Sequence, residues 1–240
     1  MNSSRGAKYE RAVLLLACIW PTVVTLAYYV VAPWMGAAPE SVQGIYVAAK
    51  ATQFALPLVW VYGICREPLR GFRWNSRGLG IGLAFGCLAA AGIWGGFHFV
   101  LAGSTYFVSA AEQVRAKVAD VGLDPPWKYI AVGVFYTLFH SLLEEYYWRW
   151  YVFGRMRNWA SLPTAIFFSS VAFMAHHVLL LGLFFGWSSP LTWLFSLGVM
   201  TGGSVWAWLY NRSDSLWGPW LSHALIDAAI FVVGYRLTFG

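Results

Sequence analysis

Apolar residues in this chain neither alternate nor keep to one helical face. They come in runs of about 20 residues, the length that crosses a hydrocarbon core of roughly 30 Å. Seven runs carry the pattern: Ala12 to Ala32, Ile45 to Ile64, Leu79 to Leu101, Tyr129 to Phe153, Pro163 to Phe185, Leu191 to Tyr210 and Leu216 to Tyr235. They predict an all-α, polytopic transmembrane bundle of about seven spans. The first run follows Arg5, Lys8 and Arg11 as a signal peptide's would, but it exceeds the roughly 7 to 15 apolar residues of a signal and is expected to stay as an anchor. Between the third and fourth runs, Phe107, Ala111, Val114, Val118 and Val121 recur at helical spacing opposite Glu112, Arg115 and Lys117. That pattern predicts one amphipathic helix lying in the membrane interface, ended by Asp124, Pro125 and Pro126. The expected organisation is an N-terminal region, 1–128, of three spans plus that helix, followed by a four-span core, 129–240.

Composition sharpens the class. Of the 240 residues, 59% are hydrophobic and 11% charged, against about 25% charged in a soluble domain. The net charge of +6 would suggest a polyanion partner in a soluble protein. Here the basic residues sit in short loops between spans, so orientation explains them and no nucleic-acid partner is expected. With the N-terminus cytoplasmic, Arg5, Lys8, Arg11, Arg66, Arg70, Arg73, Arg77, Arg149, Arg155, Arg157 and Arg212 fall inside, whereas Lys50, Arg115, Lys117, Lys128 and Arg236 fall outside. Cys18, Cys65 and Cys87 form no CxxC pair and read as packing residues. Trp34, Trp74, Trp127, Trp159, Trp187 and Trp217 lie near span ends, where interfacial belts recruit tryptophan.

The informative residues are those a span should not contain. An ionisable side chain at mid-span costs about 2.5–3.5 kcal/mol on insertion scales and faces a partner or a cavity. The fourth span carries His140, Glu144, Glu145 and Arg149, the fifth His176 and His177, and the seventh His223 and Asp227. Residues four apart share a helical face. Glu145 is therefore set to pair with Arg149, Glu144 shares a side with His140, and His223 and Asp227 look the same way. At about 1.5 Å of rise per residue, Glu144 and His223 lie roughly 10–14 Å below the cytoplasmic ends of their spans, and His177 somewhat deeper. Such a set suits hydrolysis: Glu144 as a general base for water, one histidine to hold that water, another to stabilise an oxyanion. His98 and His140 read as packing histidines.

Glu144 to Arg149 spell EExxxR, Phe173 to His177 FxxxH, and His223 to Asp227 HxxxD. In that order and on those helices the chain resembles the CPBP family, which includes the type II CAAX prenyl endopeptidases and many bacterial relatives. The resemblance covers roughly Tyr129 to Tyr235. It implies an intramembrane endopeptidase in which Glu144 activates water, His177 assists, His223 with Asp227 forms the oxyanion site, and Glu145 and Arg149 support them. It also implies membrane lipid around the protein, a membrane-associated or lipidated peptide substrate cleaved near the cytoplasmic side, and a multi-pass protein of a bacterial inner membrane. Asp227 stands where many members have Asn; ionised, it cannot donate to an oxyanion, so it is either protonated or orients His223.

Other chemistries fit less well. Gly202-Gly203-Ser204 with His223 hints at a serine protease, but Val205 stands where that pattern wants glycine. Asp227 is the single aspartate within a span, and HExxH is absent. Glu144, His177 and His223 form a conceivable zinc set. A metal-free mechanism, with no cofactor, is preferred on the resemblance and because no carboxylate is evident behind His177. A proton-coupled transporter or a non-catalytic scaffold is the reading from another class; paired repeats and broken helices in both halves would support a transporter, and neither is seen.

Overall fold

The structure is a computed structural model that describes residues 3–67 and 75–240. Arg70, Arg73 and Trp74, three of the residues used for orientation and belts, lie outside the described residues. The described residues are helical throughout, without strands, and form eight runs: α1 (3–34), α2 (39–64), α3 (79–101), α4 (Thr105–Asp120), α5 (126–156), α6 (Leu162–Phe185), α7 (Pro190–Ser213) and α8 (Trp217–Phe239). Starts follow local chemistry. Pro39, Pro126, Pro163 and Pro190 occupy first turns, where a missing N–H costs nothing. Ser161 and Ser189 add side-chain caps to α6 and α7.

Among the described residues five stretches are long and apolar enough to cross a membrane: Tyr9–Trp34, Ser41–Ile64, Leu79–Leu101, Leu162–Phe185 and Trp217–Phe239. The other two expected spans are helices of ample length but less apolar, and the reason lies in packing. In α5, residues 144–149 and 151–153 are all buried, since α5 touches α1, α2, α6, α7 and α8. A helix wrapped by protein need not match lipid, so it tolerates two glutamates and an arginine. α7 buries Ser196, Gly202, Gly203, Trp206 and Leu209 against its neighbours and spends apolarity there in the same way.

The helix expected at the interface forms as α4, but its apolar side is covered. Phe107 packs with Phe97 and Leu191, and Ala111 and Val118 are buried, whereas Val121 is exposed. Arg115 donates to the Leu237 carbonyl at 2.6 Å, fastening α4 to the end of α8. At the opposite end Arg155 of α5 meets Glu10 of α1 at 3.1 Å and Glu67 beyond α2 at 2.7 Å, so three elements close on one guanidinium. Trp34, Trp127, Trp159 and Trp187 are exposed, as belt residues are. Cys18 and Cys65 pack at the margin of the core and Cys87 is exposed.

α3 and α8 cross backbone against backbone. A Cβ added at Gly82 would run into the Gly218 carbonyl, and one at Gly86 would sit 2.9 Å from Ser222 Cα. The close approach is the small-residue packing that membrane helices use in place of a hydrophobic drive, and it fixes the start of α8, which carries His223. Gly82→Val should cost about 1–3 kcal/mol by overpacking this crossing. Gly92→Val, where an added Cβ meets nothing within 4 Å, should leave the unfolding midpoint in detergent unchanged. Equal midpoints for the two variants would contradict the crossing.

Candidate active site

Glu144 and Glu145 are neighbours on α5 and point to different partners, as a helix dictates. π-helical turns flank them, Tyr136–His140 before and Tyr146–Phe153 after. Such turns shift side-chain register and recur at functional sites. Both glutamates are buried, at 4% and 0% exposure.

Glu145 is the hub of a buried relay. Its Oε2 lies 3.0 Å from Arg149 Nε, one turn on, as the spacing predicts. Its Oε1 lies 2.8 Å from His223 Nδ1 on α8, a contact that no sequence spacing reveals. His223 Nδ1 therefore donates to Glu145, which leaves Nε2 facing the site. Aromatic faces frame the relay. Trp206 stacks on His223 with centroids 4.1 Å apart, and the Arg149 guanidinium lies 4.7 Å from the Phe173 ring centroid and 5.1 Å from that of Trp206. Trp206 is itself held by a hydrogen bond to Ser222 at 3.0 Å. Sequence reasoning missed Trp206; the nearest signal was the Gly202-Gly203 pair one turn earlier on α7, weighed there as part of a serine-protease pattern. Gly203 sits against Phe173 and Ser170, and the Ser204 hydroxyl turns back to the Met200 carbonyl at 2.9 Å.

Glu144 faces two imidazoles. Its Oε2 is 3.7 Å from His223 Nε2 and its Oε1 is 3.9 Å from His176 Nε2. Both separations exceed a direct hydrogen bond, so Glu144 keeps acceptor capacity for a water lodged beside the three groups. His176 is buried, stacks on Trp148 with an interplanar angle of 5°, and its Nδ1 has no partner. His177 is more exposed and does not come within 4 Å of Glu144. Its Nδ1 meets the Phe173 carbonyl at 3.0 Å and its ring lies 4.1 Å from that of His176. The Phe173 carbonyl thus orients His177 where no carboxylate was evident. Asp227 Oδ1 is 3.6 Å from His223 Nε2, so Asp227 borders the face of His223 that looks into the site, and Glu145 holds the other nitrogen. His140 lies against the Tyr136 and Phe54 rings, one turn before Glu144 and within its electrostatic reach, and His98 lies against Trp94 and Phe99.

Glu144, Glu145, Arg149, His176, His223 and Asp227 are therefore brought together, with His177 beside His176. Among the described residues no three His, Cys, Asp or Glu side chains converge closely enough to hold a metal ion. The arrangement offers a carboxylate with nearby imidazole nitrogens, and behind it an oriented histidine backed by an ion pair.

Removing one partner of the buried Arg149–Glu145 pair leaves an uncompensated charge. Arg149→Met should lower unfolding stability by about 3–5 kcal/mol. Arg149→Met combined with Glu145→Leu should recover part of that loss, as read by chemical unfolding in detergent. A double variant no more stable than Arg149→Met would contradict the pairing.

Comparison with known proteins agrees with the motifs. Residues 126–229 match the family model described as type II CAAX prenyl endopeptidase Rce1-like. No curated protein and no solved structure matches the chain. The matched segment runs from the start of α5 into α8 and contains every residue of the relay, of the α6 histidine pair and of the HxxxD motif. Five apolar helices among the described residues together with this match describe an integral membrane protein whose residues 126–229 are similar to the Rce1-like, type II CAAX prenyl endopeptidase family.

Proposed function

We propose that this protein is an intramembrane endopeptidase that hydrolyses a peptide bond with a glutamate-activated water, without a metal ion or other cofactor. Its catalytic core is 129–240, and its substrate is a membrane-associated or lipidated peptide. The observation that carries the reading is Glu144, buried on α5 with His223 Nε2 and His176 Nε2 at 3.7 and 3.9 Å and no cation one turn away.

The division of labour follows from which nitrogens are already committed. Glu144 is the general base: a water lodged beside it and the imidazoles gives up a proton to the carboxylate and attacks the peptide carbonyl. His177 has Nδ1 engaged by the Phe173 carbonyl, so Nε2 remains to hold that water. His223 has Nδ1 engaged by Glu145, and as an imidazolium it presents Nε2–H to the developing oxyanion. Asp227, 3.6 Å from the same nitrogen, keeps that proton directed into the site. Glu145 and Arg149 fix the ring and balance its charge. Glu144 then returns its proton to the leaving amine, so no proton is gained or lost over the cycle.

Measured from the end that α5 and α8 share, Glu144 lies twelve residues in and His223 six, roughly 18 Å and 9 Å at 1.5 Å per residue, so the site lies between mid-membrane and that surface. The Lys/Arg bias supports reading that surface as the cytoplasmic face, with the N-terminus on the same side, and the family resemblance supports a bacterial inner membrane.

With peptide substrates in detergent, Glu144→Gln should lower turnover by about 10²–10⁴-fold while the protein still folds and binds. His177→Ala and His223→Ala should each abolish cleavage, and His98→Ala should do little. Activity that survives His177→Ala and vanishes in His176→Ala would move the water-holding role to the neighbour. Undiminished turnover in Glu144→Gln would remove Glu144 as the base, and a wild type that cleaves no peptide would end the proteolytic reading in favour of a scaffold or transporter. Chelation should leave cleavage intact; loss on chelation that zinc restores would replace the metal-free mechanism.

A further inference from the structure

At the end of the bundle opposite Glu144, α4 lies across the ends of other helices. Its Phe107 ring meets those of Phe97, near the end of α3, and Phe185, at the end of α6, with centroids 5.8 and 5.9 Å apart. Further along α4, Arg115 reaches the Leu237 carbonyl near the end of α8, and the Lys117 ammonium lies 5.9 Å from the Tyr28 ring of α1. A helix that touches the ends of four membrane helices sits at the level of the membrane surface.

Beneath α4 the packing leaves a cavity of about 210 Å³. Phe97, Phe107, Val108, Ala111 and Leu237 give it apolar walls, and Arg115 brings a charge to its lining. An apolar cavity holds water poorly. At about 30 Å³ for a water-sized group it has room for roughly seven, which suits a length of one hydrocarbon chain and is too little for a helix. Val108 is 51% exposed, so the cavity is open along that wall.

The Arg115 guanidinium is only partly engaged. Its Nε donates to the Leu237 carbonyl at 2.6 Å, and among the described residues no carboxylate lies within 4 Å of it. Lys117, two residues on, is instead paired with Asp120 at 3.0 Å. The remaining N–H groups of Arg115 form a planar fork that suits the oxygens of a phosphate. Arg236, next to Leu237, is exposed and adds positive charge at the same end. An apolar slot with an unpaired guanidinium at its mouth, at the membrane surface, matches a lipid with an acyl chain inside and a phosphate outside.

We propose that this cavity binds one anionic phospholipid, its phosphate on Arg115 and an acyl chain between α4 and the ends of α3 and α8. The proposal does not depend on the endopeptidase reading. Thermal unfolding in nanodiscs of phosphatidylcholine, or of an equal mixture with phosphatidylglycerol, tests it. Phosphatidylglycerol should raise the wild-type midpoint by about 5–10 °C, the shift expected for a lipid at roughly 100 times its Kd. Arg115→Met should lose most of that increment and Arg115→Lys keep part of it. Val108→Trp, which fills the slot and spares the guanidinium, should also lose it. Leu88→Trp, at an exposed position of α3 outside the cavity, should retain it in full. Each increment is a difference within one variant, so a variant of lower intrinsic stability still reports. Native mass spectrometry from the mixed discs should retain one phosphatidylglycerol on the wild type and none on Arg115→Met. A wild type without an increment, or an equal increment in every variant, overturns the proposal. Loss in Arg115→Met with full retention in Val108→Trp overturns it too, since the charge would then act at the surface and not at the cavity.

Discussion

The buried relay from Arg149 through Glu145 to His223 is the interaction on which the rest of the site depends. A carboxylate at 0% exposure inside a membrane bundle persists only if its charge is met on both sides. Glu145 is met by a guanidinium on its own helix and by an imidazole from another. That second contact locks α8 to α5 and fixes which nitrogen of His223 looks inward. Glu144, next in sequence but turned to another side, inherits its histidine neighbour from this arrangement. The rest of the bundle serves it: α5 is surrounded, and the glycine crossing of α3 on α8 holds the helix that carries His223.

Two neighbouring glutamates thus do different work because their surroundings differ. Glu145 has one oxygen in an ion pair with Arg149 and the other hydrogen-bonded to His223, and is structural in effect. Glu144 has imidazole nitrogens beyond direct hydrogen-bond distance and no cation one turn away. The same separation of roles underlies general acid–base sites in soluble enzymes, where environment sets one carboxyl apart from the next. In a membrane the contrast is sharper, since every unpaired charge must have a use.

Much of this was legible in the sequence wherever local periodicity governs. The Glu145–Arg149 pair follows from spacing alone, and so does the shared face of His223 and Asp227. The reach of Glu145 to His223 was not legible, because it depends on how two helices cross. Of the seven expected spans, five are strongly apolar among the described residues, and α5 and α7 are less so for a physical reason: they face protein, where lipid-matching composition is not required. The apolar stripe of α4 was visible, but whether membrane or protein covers it is a tertiary matter. That Phe54 of α2 lies against His140 and Tyr147 of α5 was likewise a tertiary matter.

The orientation of His223 by Glu145 is the most direct point of attack. Nitrogen-15 spectra of histidine-labelled protein in lipid bilayers report which ring nitrogens carry protons. The account predicts a protonated, hydrogen-bonded Nδ1 on His223 in the wild type, with that signal shifted or lost in Glu145→Gln. A His223 Nδ1 without a proton, or one indifferent to Glu145→Gln, would contradict it.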